Sequence, residues 1–287
     1  MQGVVLCAPS RIYFDHPGGR FSYSSMVDYF HRVGIGAIDM SFESLSRLDP
    51  ESRAVLYATA TRAKEKGIII PLCHLSFYMP DHSDAALMEK YQKVLFEGVD
   101  AAAIMGIPLA VAHPIALYSS ESSYGDWIRA NLAFLMPLVE YAKGKGVRIL
   151  IENMASEREA DGDHLYGSCA LNISSLADKL GVGVCWDVGH AHISGLCQSE
   201  QILKLGDRLE VIHAHDNFGE RDLHLLPFDG DVDWDDVALG ICKSGFSGIL
   251  DIEVTAWALE GTASVRENFG RRIVMRARQL MALAELI

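Results

Sequence analysis

Residues 183–195 read GVCWDVGHAHISG. The first five are apolar up to a closing aspartate, Asp187, and His190 follows three positions later. A short run that is apolar without alternation fits a strand of a parallel sheet covered on both faces. The acid at its end must then face something other than core. The same design recurs on both sides of this segment. Strand-like runs lie at 3–7, 37–41, 68–74, 109–113, 147–152, 183–187, 210–215 and 248–253. Each of the last six closes on His, Asp or Glu: His74, His113, Glu152, Asp187, the pair His213 and His215, and Glu253.

Stretches of helical period follow the strands, at 23–33, 50–66, 84–105, 124–143, 174–180, 199–205, 234–243 and 264–286. Glycine stands close before several strands, at Gly36, Gly67, Gly106, Gly146, Gly181 and Gly248, as expected of helix C-caps feeding short loops. No Pro/Gly/Ser-rich linker and no charge block divides the 287 residues, so one domain over 1–287 is expected. Eight β/α units make either an open doubly wound sheet or a closed barrel. The open sheet would normally carry G-x-G-x-x-G or a P-loop after an early strand, and neither occurs. The polar strand ends decide for an α/β fold, a single-domain (β/α)8 TIM barrel, because its C-terminal strand ends converge on one mouth.

Carboxylates and imidazoles gathered in a confined mouth repel or stay unpaired unless something neutralises them. A divalent cation does so. A lone His or Glu at a strand end is usually a hydrogen-bonded structural residue, so the signal lies in the set. Glu152, Asp187, His213 and Glu253 come from four successive strands and make a mostly oxygen site with one imidazole. That mixture suits Mn, Mg, Co or Zn without choosing among them. His74, His113, His190, Asp222 and His224 are then substrate contacts or ligands of a second or third metal. His215 is the weaker member of its pair, and Asp216 is open between partner of a ligand and loop cap. Arg221 is the nearest cation to the strand-seven ligands and a candidate substrate contact. Phe77, Tyr78, Trp186 and Trp257 are candidate pocket walls, while Arg11, Tyr13 and His16 follow the first strand and receive no role.

Composition limits the function classes. At 49% hydrophobic and 22% charged residues the chain has ample material for a core. A net charge of −13, with no Lys/Arg run, weighs against a nucleic-acid partner. The N-terminal stretch lacks a basic segment followed by a long apolar one, and no apolar run approaches the roughly 18 residues that span a bilayer. Cys7, Cys73, Cys169, Cys185, Cys197 and Cys242 are scattered without a C-x-x-C, which fits free thiols. The expectation is a cytoplasmic protein with no membrane partner. The apolar helix at 273–287 could serve the barrel or a second copy, which leaves a homo-oligomer open.

Four segments carry a resemblance: LIENM at 150–154, GVCWDVGHAHISG at 183–195, VIHAHDNFGERDLHLLPFDGDVDW at 211–234, and DIEV at 251–254. In this order, at these strand ends, the chain resembles the xylose isomerase-like barrels. That superfamily includes sugar and sugar-phosphate isomerases and epimerases, inosose-handling enzymes, and the endonuclease IV type of abasic-site nuclease. The isomerase pattern implies that Glu152, Asp187, His213 and Glu253 hold the metal and that His190 contacts a substrate oxygen. The nuclease pattern, the alternative, implies a multi-zinc set of His74, His113, Glu152, Asp187, His190, His213, Asp222, His224 and Glu253. Departures weaken that alternative. Asp187-Val-Gly-His190 stands where that family has DTCH, His213-Ala-His-Asp216 stands for HLND, and Met154 to Glu159 replaces a small Ala-Gly-Gln-Gly segment. The resemblance implies an isomerase or epimerase of a small sugar, sugar phosphate or inosose-like polyol. Glu152 and Glu253 would exchange the proton through an enediolate.

Overall fold

The computed structural model describes residues 3–14, 22–42, 48–77, 84–115, 123–155, 166–255 and 263–286. In chain order the elements are β1 (Val5–Pro9), α1 (Arg11–Phe14), α2 (Tyr23–Val33), β2 (Ala37–Ser41), α3 (Pro50–Glu65), β3 (Ile69–His74), α4 (Ala85–Met105), β4 (Leu109–Ala112) and α5 (Tyr124–Gly144). There follow β5 (Arg148–Glu152), α6 (Ala170–Leu180), β6 (Gly183–Asp187), α7 (Val188–Ile193), α8 (Gln198–Leu205), β7 (Leu209–His213), α9 (Trp234–Ser244), β8 (Ile249–Asp251) and α10 (Ala263–Leu286). All eight strands are parallel and β8 pairs with β1, so the sheet closes into the expected barrel.

Local signals explain where most helices start and stop. Ser22 and Ser25 form a capping box at the start of α2, and the Asp84 carboxylate accepts the Ala86 and Leu87 amides at the start of α4. Gly106 and Gly181 close α4 and α6 in the left-handed region, at φ 71° for each. Where no such signal exists the sequence reading slipped. α6 begins at Ala170 rather than 174, because Cys169 precedes it without a side-chain cap. The short helices α1 and α7 were not anticipated. The first strand runs to Pro9 rather than ending at Cys7, and β8 stops at Asp251 although its inward-facing residues continue to Glu253.

The barrel interior explains why the site lies where it does. One side chain from each strand builds an apolar layer: Cys7, Ala37, Leu72, Val111, Leu150, Cys185, Val211 and Ile249. Side chains alternate with period two along a strand, so the next inward position lies two residues on. Those positions are Pro9, Asp39, His74, His113, Glu152, Asp187, His213 and Asp251. Seven of the eight are ionisable, and the core turns into a ring of acids and imidazoles within a single step. A further step brings His215 and Glu253. Trp186, read from sequence as a candidate pocket wall, belongs to the outer core instead. It is fully buried and its indole N–H donates to Gln198 Oε1 at 3.1 Å. α10 buries Phe269, Ile273, Ala277, Leu280 and Ala284, and Arg272 and Arg276 both pair with Asp229, so this helix serves the barrel. All six cysteines are free. No helix among the described residues is long and apolar enough to cross a membrane.

Candidate active site

Glu152, Asp187, His213 and Glu253 converge. One ligand atom from each lies within 4.8 Å of the other three, and all four side chains are buried. They reach one point by different routes. Glu152, Asp187 and His213 end β5, β6 and β7, whereas Glu253 lies two residues past the end of β8. Glu152 is the hub. Its Oε1 lies 3.0 Å from His213 Nδ1, and its Oε2 lies 3.1 Å from His113 Nε2 and 3.3 Å from His74 Nε2. Glu253 Oε2 stands 3.3 Å from the same His213 nitrogen.

A second arm extends from Asp187. Its Oδ1 accepts the His190 amide at 2.6 Å, and its Oδ2 lies 2.9 Å from His215 Nε2. Asn153 pins the strand end, accepting the Asp187 amide at 2.6 Å and donating to its carbonyl at 3.0 Å. His190 Nε2 and His224 Nε2 meet on Asp222 Oδ2 at 3.4 and 2.9 Å. His224 takes a left-handed backbone, φ 47°, and its ring stacks on His215 with centroids 4.0 Å apart. His215, undervalued in the sequence reading, is fully buried at the centre of this arm. Its ring fits because residue 189 is glycine. A Cβ there would stand 1.9 Å from His215 Cε1.

Asp216 turns out to organise the loop over the mouth. Its Oδ1 accepts the Asn217 and Val232 amides at 2.9 and 3.0 Å, and its Oδ2 accepts the Trp234 indole N–H at 2.8 Å. An antiparallel bridge to Leu225 holds the segment that carries Asp222 and His224. Phe77 lies at the rim with its ring 4.4 Å from that of His113. Arg221 is exposed, and no polar contact among the described residues ties it to the cluster. Tyr78, Trp257 and His16 lie outside the described residues.

The sequence reading missed Asp39 and Asp251. Both are fully buried in the ring, and period-two counting from Ala37 and Ile249 would have found them. It also passed over Asn153 as part of a weak motif.

Burial and mutual charge split the titration of the cluster. Burial pulls the Glu152 carboxyl upward, but His213 and His113 outweigh it and hold the group well below the usual carboxylate range. Burial likewise opposes charge on His74, yet Glu152 and Glu253 lift it to about 9. On His113, 4.8 Å from His74, burial prevails and the shift is downward. Burial is again opposed on His224, where Glu253 and Asp222 raise the imidazole to about 9.

A stability prediction follows for the metal-free protein. His74 and His224 titrate near 9 when folded and near the ordinary 6.5 when unfolded. Their contribution is complete below 6.5 and is lost as the pH rises through 9. Thermal melts in EDTA are therefore expected to show a midpoint that falls between pH 6.5 and 9. A midpoint rising across that window would contradict the ring geometry.

A family model described as a xylose isomerase-like TIM barrel matches residues 27–270. Uncharacterized protein y4fM of Sinorhizobium fredii is 28% identical over 199 residues, covering 67% of this chain and 61% of that protein. The chain thus matches less than two thirds of that relative's length. A D-tagatose 3-epimerase-like protein superposes with a TM-score of 0.74 at 19% identity, covering 98% of each chain. D-psicose 3-epimerase, solved in the presence of D-fructose, gives 0.74 at 14% identity, covering 96% of this chain and 99% of that one. At such identities the superpositions show a shared fold. The family follows from the matched residues, most of the chain: it belongs to the xylose isomerase-like TIM barrels.

Proposed function

We propose that this chain is a metal-dependent isomerase or epimerase of a small sugar, sugar phosphate or inosose-like polyol. One observation carries the reading: three carboxylates and one imidazole offer ligand atoms within 4.8 Å of one another inside the barrel. The donor set fits a divalent cation such as Mn, Mg, Co or Zn, because buried carboxylates this close repel unless a cation lies among them. Such a cation, when bound, would stabilise the negative charge that builds on a substrate carbonyl oxygen.

The chain's own residues supply the rest. Glu152 and Glu253 enter from β5 and from beyond β8, so they can stand on different sides of a bound ketose. One carboxylate takes the proton next to the carbonyl, giving the enediolate, and the other carboxyl returns a proton from its own side. His190, fixed by its Nδ1 against the Asn153 carbonyl at 2.8 Å, leaves Nε2 toward the mouth and Asp222 for a substrate oxygen. His213 and His113 hold Glu152 in its charged state, and His74 and His113 line the pocket beside Phe77. His74, His113, His190, Asp222 and His224 act here as substrate contacts; a further ion among them is the multi-zinc nuclease variant. The net charge of −13 and the absence of a Lys/Arg run disfavour that variant.

The test is a panel of ketoses, their phosphates and inososes, incubated with the metal-loaded protein in D2O. An epimerised or isomerised product carrying deuterium next to the carbonyl is expected, and chelation should abolish it. Incision of an abasic duplex with no turnover on the panel would replace this reading with the nuclease.

A further inference from the structure

Two carboxylates of the ring are not used by the proposed reaction. Asp39 from β2 and Asp251 from β8 flank β1, and their exposures are 1% and 0%. Asp39 Oδ1, both Oδ atoms of Asp251 and Nε2 of His213 are buried, with no hydrogen-bond partner among the described residues. Ligand atoms of Asp39, Asp251 and His213 lie within 4.8 Å of one another.

The surroundings offer these carboxylates little relief. Burial and the two carboxylates push the Cys7 thiol upward, so it stays neutral. Burial pushes Asp39 itself up to about 6, against the attraction of His74 and His213. No Lys or Arg is among the groups acting most strongly on Asp39 or Asp251. Unpartnered buried carboxylate oxygens are costly, and a compensating group is required. Hard cations hold oxygen ligands at roughly 2.0–2.6 Å, so ligand atoms on one ion stand up to roughly 4–5 Å apart. That is the spacing found here.

We infer that Asp39 and Asp251 form a second cation site inside the barrel, taking a hard divalent cation of the Mg2+ or Mn2+ class beside the quartet. His213 stands at the boundary. Its Nδ1 faces Glu152 and Glu253, so it belongs to the quartet, and Asp39 and Asp251 supply the charged ligands of the inner site. The site is separate from the epimerase reading, since it needs neither Glu152 nor a sugar.

Mn2+ binding to the full chain, by equilibrium dialysis with spin-resonance detection, tests it. Asp39→Asn and Asp251→Asn are each expected to bind one equivalent fewer than the parent protein. Asp187→Asn should lose a quartet ion and keep the inner one. Circular dichroism checks folding, and if one Asn variant does not fold, the other reads the same site from a different strand. A melting-temperature gain from Mn2+ in Asp187→Asn should shrink when Asp39→Asn is added. Equal stoichiometry in the parent and both Asn variants overturns the inner site, and would mean that the pair holds a proton. An ion lost in Asp187→Asn but kept in the Asn variants leaves the quartet standing alone. The reverse pattern leaves the inner site standing without the quartet.

Discussion

Glu152→Gln is expected to lower turnover by about 10²–10⁴-fold while the barrel stays folded, the range over which a positioned acid or base acts. Glutamine keeps the shape of the side chain but cannot take a proton. It also ends the charge that holds His213, His113 and His74 at 3.0, 3.1 and 3.3 Å. Two effects therefore combine, one on the proton transfer and one on the geometry of the quartet. They separate experimentally. Raising the metal concentration should restore occupancy without restoring turnover, whereas Glu152→Asp should retain metal and recover part of the rate. A Glu152→Gln rate within tenfold of the parent at saturating metal would remove Glu152 from the chemistry.

Gly189→Ala is expected to damage the site as severely by a purely steric route. The added Cβ would meet three atoms of the His215 ring, Cε1 at 1.9 Å, Nδ1 at 2.4 Å and Nε2 at 2.6 Å. Real structures do not tolerate such contacts, so the ring must leave. Its departure breaks the 2.9 Å contact to Asp187 Oδ2 and the stacking on His224. Overpacking costs of about 1–3 kcal/mol translate, in a protein of this size, to a melting temperature lower by roughly 2–5 °C. Turnover should fall with it, because Asp187 loses the neighbour that fixes its second oxygen. Adding His215→Ala to Gly189→Ala removes the clash, and thermal melts of the double variant should recover most of the lost stability. A single variant as stable as the parent would mean that His215 does not occupy this position.

The barrel and the quartet were legible because each strand end announced itself by one residue type out of place in an apolar run, as Asp187 does after GVCW. Strand ends converge in a closed parallel barrel whatever the sequence between them, so Glu152 and Glu253 could be brought together on topology alone. The residues that stayed hidden lacked that signal. Asp39 sits mid-strand in AIDMS, where a lone acid reads as an irregularity, and it becomes visible only when the apolar layer is known and two residues are counted on from Ala37. Asp251 was masked by Glu253, since both share one face of β8 and the later residue looked like the strand end. His215 was discounted as too far toward the loop, whereas the chain continues inward past the last ladder bond at β7 and Gly189 vacates the space for its ring. Arg221 was named for its proximity in sequence to Asp222 and His224, which says nothing of direction, and its side chain is exposed.

Crystals soaked with Mn2+ and measured at the manganese edge give the most direct test. An anomalous peak is expected within roughly 2.0–2.4 Å of carboxylate oxygens of Glu152, Asp187 and Glu253 and of a His213 ring nitrogen. Soaked crystals with no peak among these four residues would contradict a shared cation there, and with it the proton-transfer chemistry assigned to Glu152 and Glu253.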